Sequence, residues 1–404
     1  MAESITPQAL RSLMGGDELH AVIDVRPTEV YRAGQIFRST SVPLEELNDR
    51  LPALVPVSSV LTVALGEDEQ ASSGAAEQCE QIGLMNVRWL AGGYAGWKQA
   101  ALPTIEGWSV PGKDFGERLL IEEPVPEIEA DDLAERLKRG DHMVVLDSRT
   151  PAEFARSCIP GARSLPGGEL PLAITDLLDQ DDGADLTVVV NCAGRTRSIL
   201  GAYQLRRMGV PNVIALRNGT MGFMLAGHEL QTGAEPEAVP EPSADAVATA
   251  ERAADEIALA DGVLMISVEE LEALQAAADR DPLYIVDVRM PDDYLSGHIP
   301  GAITCPGGQL PFSDDQIAVR GATIVTVCDG RARAIFSASL WRQMGFPRVA
   351  VLDGGVTAWA AAGRELEVGG EERPFVGAGT RTREQMIEYL RWEEALGEQY
   401  ERRE

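Results

Sequence analysis

Hydrophobic and polar positions along this chain repeat in three laps. Each lap opens on a short apolar run ending in Asp-x-Arg: AVIDVRPTEVY from Ala21, VVLDSRTPAEF from Val144 and YIVDVRMPDDY from Tyr284. A turn leading to proline follows, in GQIFRSTSVP from Gly34, SCIPGARSLP from Ser157 and GHIPGAITCP from Gly297. A second apolar run then enters a loop and a helical stretch: LTVALGEDEQAS from Leu61, TVVVNCAGRTRS from Thr187 and TIVTVCDGRARA from Thr323. These helices close on EQIG, RRMG and RQMG, at Gly83, Gly209 and Gly345. Glycine just past the last periodic residue is a helix C-terminal signal. A last strand and a Gly-turn complete each lap, in VRWLAGGYAGW, VIALRNGTMGF and VAVLDGGVTAW. Self-similarity of this kind predicts tandem copies of one unit. Short Val/Ile/Leu runs alternating with helical segments predict an α/β fold, each unit a parallel sheet with helices on both faces.

The laps divide the chain into units at 1–110, 126–232 and 263–370, linkers at 111–125 and 233–262, and a tail at 371–404. The first linker carries prolines and no clear period. The second is Pro/Ala/Glu-rich and extended in its first half, with a short helix expected in its second. The tail, from Thr382, has apolar residues at helical spacing and reads as a terminal helix. Met386, Tyr389, Leu390 and Trp392 would pack it on a unit of the same chain or on a second copy.

Composition narrows the function. The chain has 404 residues, 45% of them hydrophobic, so it can bury real cores. Its formal net charge is −29. A polyanion of this kind is a poor binder of nucleic acid or of anionic membranes, and neither is expected as a partner. The 5 cysteines are far apart, with no CxxC pair and no His cluster. That argues against a metal site or a disulfide framework and for a reducing compartment. MAESITPQAL lacks a basic start and an apolar core, and no apolar run is long enough to span a bilayer. A cytoplasmic protein without cofactor is the expectation.

The candidate chemistry lies where open parallel sheets place their sites, beyond the carboxyl ends of the strands. Cys192 follows TVVVN, and the loop Ala193, Gly194, Arg195, Thr196, Arg197 leads into the helix at Ser198. Cys328 follows TIVTV, with Asp329, Gly330, Arg331, Ala332 and Arg333 in its loop. A helix N-terminus, two arginines and inward-turned N–H groups each favour a thiolate. Asp329 weakens that field in the third unit. Helix alignment sets Gly66 opposite Cys192 and Ala71 opposite Arg197, so the first unit lacks both nucleophile and guanidinium. Its loop, GEDEQAS, is acidic. Cys158, Cys305 and Cys79 read as small buried residues, with a resolving thiol as the alternative for Cys158. The Asp-x-Arg pairs read as structural ion pairs, His298 as a structural histidine, and LPGGELPL and CPGGQLPF as shared turns.

Together these landmarks resemble the rhodanese domains of sulfurtransferases. The third unit carries them most fully: Asp287, Arg289, His298 to Ala302, Cys328, Asp353 to Gly355 and Trp359. The segment PGKDFGERLLIEEPVPEI resembles the joint of multi-domain members. The resemblance implies a two-step transfer. A loop thiolate takes the outer sulfur of a donor such as thiosulfate or a mercapto acid. The resulting persulfide passes it to cyanide, a thiol or a carrier protein. By the loop argument Cys192, and in the same way Cys328, is the nucleophile. The N–H groups of the loop would hold the persulfide, and Arg195 and Arg197, or Arg331 and Arg333, would orient an anionic donor. Cys192 is favoured because Asp329 sits beside Cys328. Two other readings stay open. One is a sulfur-relay or docking protein with little small-molecule turnover. The other is a Cys-dependent phosphatase or arsenate reductase, which needs Cys-x5-Arg where this chain has Cys-x4-Arg.

Overall fold

A computed structural model of the chain describes residues 2–123, 125–180, 185–313, 316–370 and 381–401, with side chains to 398. Of the tail, 371–380 and 402–404 lie outside the described residues. Among the described residues, three sheets of five strands each are built. The first holds β1 (Glu3–Ile5), β2 (His20–Asp24), β3 (Thr40–Ser41), β4 (Leu61–Leu65) and β5 (Val87–Leu90), in the order β1-β5-β4-β2-β3. The second repeats that order with β6 (Glu127–Ile128), β7 (Met143–Asp147), β8 (Arg163–Ser164), β9 (Thr187–Asn191) and β10 (Val213–Leu216). The third does so with β11 (Leu264–Ile266), β12 (Leu283–Asp287), β13 (Ala302–Thr304), β14 (Thr323–Val327) and β15 (Val349–Leu352). All their pairings are parallel.

The valine-rich runs are central strands because both their faces are covered. In β9, Val188, Val189 and Val190 are wholly buried, with Val188 and Val190 in one cluster and Val189 in another on the opposite face. Residue 191 pairs in register with Asp147, and the Asn191 amide donates to its carboxylate at 3.0 Å. The chain leaves the sheet there, so Cys192 emerges at the carboxyl edge. The helix after it, Thr196–Arg207, ends before Gly209, whose φ of 82° is the left-handed turn expected there.

The three Asp-x-Arg pairs are buried and built alike. Asp24, Asp147 and Asp287 hold Arg26, Arg149 and Arg289 at 2.7, 2.7 and 2.6 Å. Each guanidinium also donates to a carbonyl eight residues on, at Gly34, Ser157 or Gly297. They fasten the turn after each second strand to its sheet. His298 stacks on Tyr294 at 3.8 Å and bonds its backbone carbonyl through Nδ1. Cys79, Cys158 and Cys305 are buried and in no disulfide, and burial pushes Cys79 up to about 12 and raises Cys158 too.

The joints depart from expectation. The first linker, read as lacking a period, forms a helix at Val110–Glu122. Its apolar residues Val110, Phe115 and Leu119 are buried among neighbouring units, so its pattern answers to several faces at once. The second linker forms an 18-residue helix, Ala244–Asp261, longer than the short one expected. Its alanines 246, 250 and 254 let it lie close on the third unit's loop helix, Ala332–Gln343. The repeated Pro-Gly-Gly turns are more than turns. Gly167 and Gly168 meet Gly308 and Gly307 so closely that a Cβ on Gly168 would lie 3.1 Å from the Gly307 Cα. They join units two and three backbone to backbone, which glycine alone allows.

Candidate active site

One pair of hydrogen bonds recurs under all three loops. The Gly-turn N–H groups of Thr220 and Met221 donate to the carbonyls of Cys192 and Ala193 at 2.9 and 3.1 Å. Val356 and Thr357 do the same for Cys328 and Asp329 at 2.8 and 3.3 Å, and Tyr94 and Ala95 for Gly66 and Glu67, both at 2.9 Å. Residues 66, 192 and 328 are therefore spatial equivalents. The turn glycine must come this close: a Cβ on Gly219 would sit 2.3 Å from the Cys192 carbonyl oxygen. In unit one the loop has collapsed onto its helix. A Cβ on Gly66 would lie 2.6 Å from the Ala71 Cβ and 2.8 Å from its backbone carbon, so a side chain has no room there.

The Cys192 loop is different. Cys192 Sγ lies 3.5 Å from Ser198 Oγ, whose hydroxyl donates to the Arg195 carbonyl at 2.7 Å. Both guanidiniums are buried and clamped. Arg195 donates to Glu117 of the linker helix at 2.5 and 2.9 Å and to Asn218 at 3.2 Å. Arg197 donates to both oxygens of Glu153 at 2.8 Å. The expectation that they face an anionic donor thus meets another arrangement: each charge is matched by a buried carboxylate, which fixes the loop's shape. The two carboxyls differ. Burial raises Glu153, but Arg197, the Thr150 N–H and Arg149 outweigh it and hold it down to about 2. Burial also raises Glu117; Arg195 opposes this, Glu393 and Glu127 reinforce it, and it stands at about 7.

A cavity of about 670 Å³ opens over this loop, lined by Cys192 to Arg197. Its other walls come from four parts of the chain. Unit one supplies Arg32 and Trp108, the linker helix Lys113, unit three Phe312, and the tail helix Arg383–Glu401 supplies Tyr389, Trp392 and Glu393, preceded by Arg381. The tail packs within the chain: Met386 and Leu390 are buried against Met221 of the second unit. Lys113 Nζ stands 5.2 and 5.0 Å from the rings of Tyr389 and Trp392 and donates to the Trp108 carbonyl at 2.5 Å. Sequence reasoning missed Glu117, Glu153, Lys113 and Glu393. A carboxylate after each Asp-x-Arg was visible as a landmark, but its partner was not.

The Cys328 loop has the same outline under a different cover. Arg333 reaches across to Glu169 of unit two at 2.8 Å and also pairs with Asp329, which takes Arg289 at 3.1 Å as well. Arg331 turns outward to Asp255 of the Ala244–Asp261 helix at 2.9 Å. Gly330 lies against that helix too: a Cβ there would be 3.3 Å from Glu251 Oε1. Alanine 334 replaces the serine hydroxyl. Burial pushes the Cys328 thiol up to about 11, although Arg333 and the N–H groups of Ala334 and Gly330 pull it down. Among the described residues no His/Cys/Asp/Glu group is arranged to hold a metal, and no helix is long and apolar enough to cross a membrane.

Residues 6–100, 129–226 and 267–362 each match the family of the rhodanese-like domain, and the chain belongs to that family. With a thiol loop at the strand edge of two units, it falls in the class of rhodanese-type sulfurtransferases. It is similar throughout its length to a thiosulfate sulfurtransferase from Pseudomonas aeruginosa: TM-score 0.87, 28% identity, covering 99% of this chain and 98% of that one. A sulfurtransferase from Allochromatium vinosum is 31% identical over 26% of this chain and 92% of its own length. The putative thiosulfate sulfurtransferase SseB from Mycobacterium tuberculosis is 34% identical over 27% of this chain, which spans about half (48%) of that relative.

Proposed function

We propose that this chain moves a sulfane sulfur from a donor such as thiosulfate to a thiophilic acceptor such as cyanide or a thiol, and that Cys192 carries it. The observation behind this reading is that Cys192 opens onto a 670 Å³ cavity at a strand end. Its thiolate attacks the outer sulfur of thiosulfate. The S–S bond of the donor breaks, sulfite leaves with the electron pair, and a persulfide remains on Cys192. The acceptor then attacks the outer sulfur, and Cys192 departs as thiolate. The loop N–H groups from Ala193 to Ser198 would hold the persulfide, and Arg32, Lys113 and Arg381 bring positive charge to the cavity wall. Likeness to a thiosulfate sulfurtransferase favours thiosulfate as donor. The phosphatase alternative loses ground because both loop guanidiniums are spent on carboxylates instead of forking an oxyanion.

Unit one is then a non-catalytic member, and Cys328, as buried as Cys192 but with its thiol pushed up to about 11 and the Ala244–Asp261 helix on its loop, is read as no second working nucleophile. Peptide-mapped mass spectrometry after brief exposure to thiosulfate tests the reading. One added sulfur on Cys192 supports it. Sulfur on Cys328 alone, or on neither with thiosulfate and mercapto acids alike, refutes it.

A further inference from the structure

We propose that Glu393, on the tail helix outside the repeated units, is the general base that takes the proton of a thiol acceptor as that thiol attacks the Cys192 persulfide. This rests on the persulfide reading above and adds to it the fate of the acceptor's proton.

Glu393 is only 1% exposed, yet it lines the same cavity as Cys192. Its Oε1 accepts from the Thr196 hydroxyl at 2.7 Å, which ties the carboxylate to the thiol loop. Its Oε2 is buried and has no hydrogen-bond partner among the described residues. A carboxylate oxygen left so is costly, and its place on the cavity wall offers a reason for keeping it: a proton or a donor that arrives with the substrate. That oxygen faces the loop beside Gly194. A Cβ there would lie 3.2 Å from Oε2, 3.3 Å from a Tyr389 ring carbon and 3.1 Å from the Met221 methyl, so the glycine lets the carboxylate approach the thiol loop's backbone closely. Tyr389 stands one turn back on the same helix. Burial first, then Glu393 and Cys192, push its phenol well above its ordinary value, with Arg381 opposing. The charged groups facing Glu393 from other elements are Glu117 and Arg195. Lys113 and Arg381 stand on the cavity wall. A cavity of about 670 Å³ is far larger than cyanide requires and admits an organic thiol.

The step balances without an oxidant. Glu393 takes the proton from the acceptor S–H. The acceptor sulfur forms a bond to the outer sulfur of the persulfide as the Sγ–S bond breaks. The electron pair of that bond goes to Cys192 Sγ, and the proton returns to the departing hydropersulfide. An acceptor with no proton to lose, such as sulfite at pH 8, does not need the base.

The test is a single-turnover experiment on the full chain. Cys192 is loaded with thiosulfate, and loss of the added sulfur is timed with 2-mercaptoethanol and with sulfite. Glu393→Gln should slow the thiol reaction about tenfold or more at pH 7.5, and less than about threefold above the thiol's own pKa. Transfer to sulfite at pH 8 should fall less than about threefold. Equal losses with both acceptors, or no loss with the thiol, overturn the proposal while leaving the persulfide reading intact. Failure of the wild type to load sulfur on Cys192 overturns both. A measurement on the unaltered protein guards against a variant that misfolds. With a base, the thiol rate is nearly flat from pH 7 to 9. A rate rising about tenfold per pH unit, as the thiolate fraction does, also overturns it.

Discussion

The Cys192 and Cys328 loops begin from nearly the same six residues and end in different surroundings. Each starts at the edge of a central strand, is held by two N–H groups of a Gly-turn, and contains two arginines. In unit two both arginines are buried against carboxylates, and the linker and tail helices stand back to leave a cavity. In unit three a long alanine-rich helix lies on the loop, takes Arg331 to itself and leaves the thiol pushed up to about 11. The arginines also differ in their partners, and only one of them crosses between units. Arg197 uses Glu153 of its own unit, whereas the counterpart Asp293 is one methylene shorter and Arg333 turns to Glu169 of unit two. In Glu169's equivalent position unit three has the neutral Gln309. The loop sequence is thus nearly shared, while the elements packed over the two thiols differ.

The largest test of this contrast is nucleophile removal. Cys192→Ser should lower thiosulfate:cyanide turnover about a thousandfold or more, and Cys328→Ser should leave it within about twofold. Comparable losses from both would break the comparison. Next in size is the arginine clamp. Glu117→Ala takes the two-pronged carboxylate from a buried guanidinium, leaving it Asn218, Glu127 and Glu394, and should cost about 3 kcal/mol in denaturant unfolding. Asp255→Ala touches the half-exposed Arg331 pair and should cost below about 1 kcal/mol. Alkylation compares the thiols directly. At pH 8 about one Cys328 in a thousand is thiolate if its pKa is about 11, so iodoacetamide should label Cys192 at least about tenfold faster. Labelling of Cys328 should climb as pH rises towards 11.

The smallest effect concerns the paired carboxyls Glu153 and Asp293, which follow their Asp-x-Arg motifs at the same spacing. Glu153 is held at about 2, below its unfolded value, so its contribution to stability is full above about pH 4.5 and lost as pH falls through 2. Asp293 is raised by burial and by Asp329, despite Arg333 and Arg289, so its dependence runs the other way: its contribution is full below its unfolded value and is lost as pH rises through the raised, folded one. A carboxyl NMR titration should find Glu153 ionised throughout the range in which Asp293 takes up its proton. The reverse order would remove the proposed difference between the two loops.

The repeat, the parallel sheets, the two thiol loops and the empty loop of unit one were all legible in the chain. They depend on local rules: valine runs buried on both faces, glycine after a helix, a cysteine at a strand end. Gly66 could be set opposite Cys192 because each unit keeps its own internal spacing, and the shared Gly-turn hydrogen bonds agree with that alignment. What surrounds a loop is not local. Glu117 lies 78 residues from Arg195 and Glu393 lies 197 from Thr196, and neither distance leaves a periodic trace. The linker helix looked patternless because it packs against several units, and the Pro-Gly-Gly turns showed no sign of meeting each other. Sequence alone determined what each unit is and where its sulfur chemistry could sit. Only the tertiary structure decided what lies over each thiol, because those surroundings are built by elements from other units, joined through contacts that no short stretch of residues encodes.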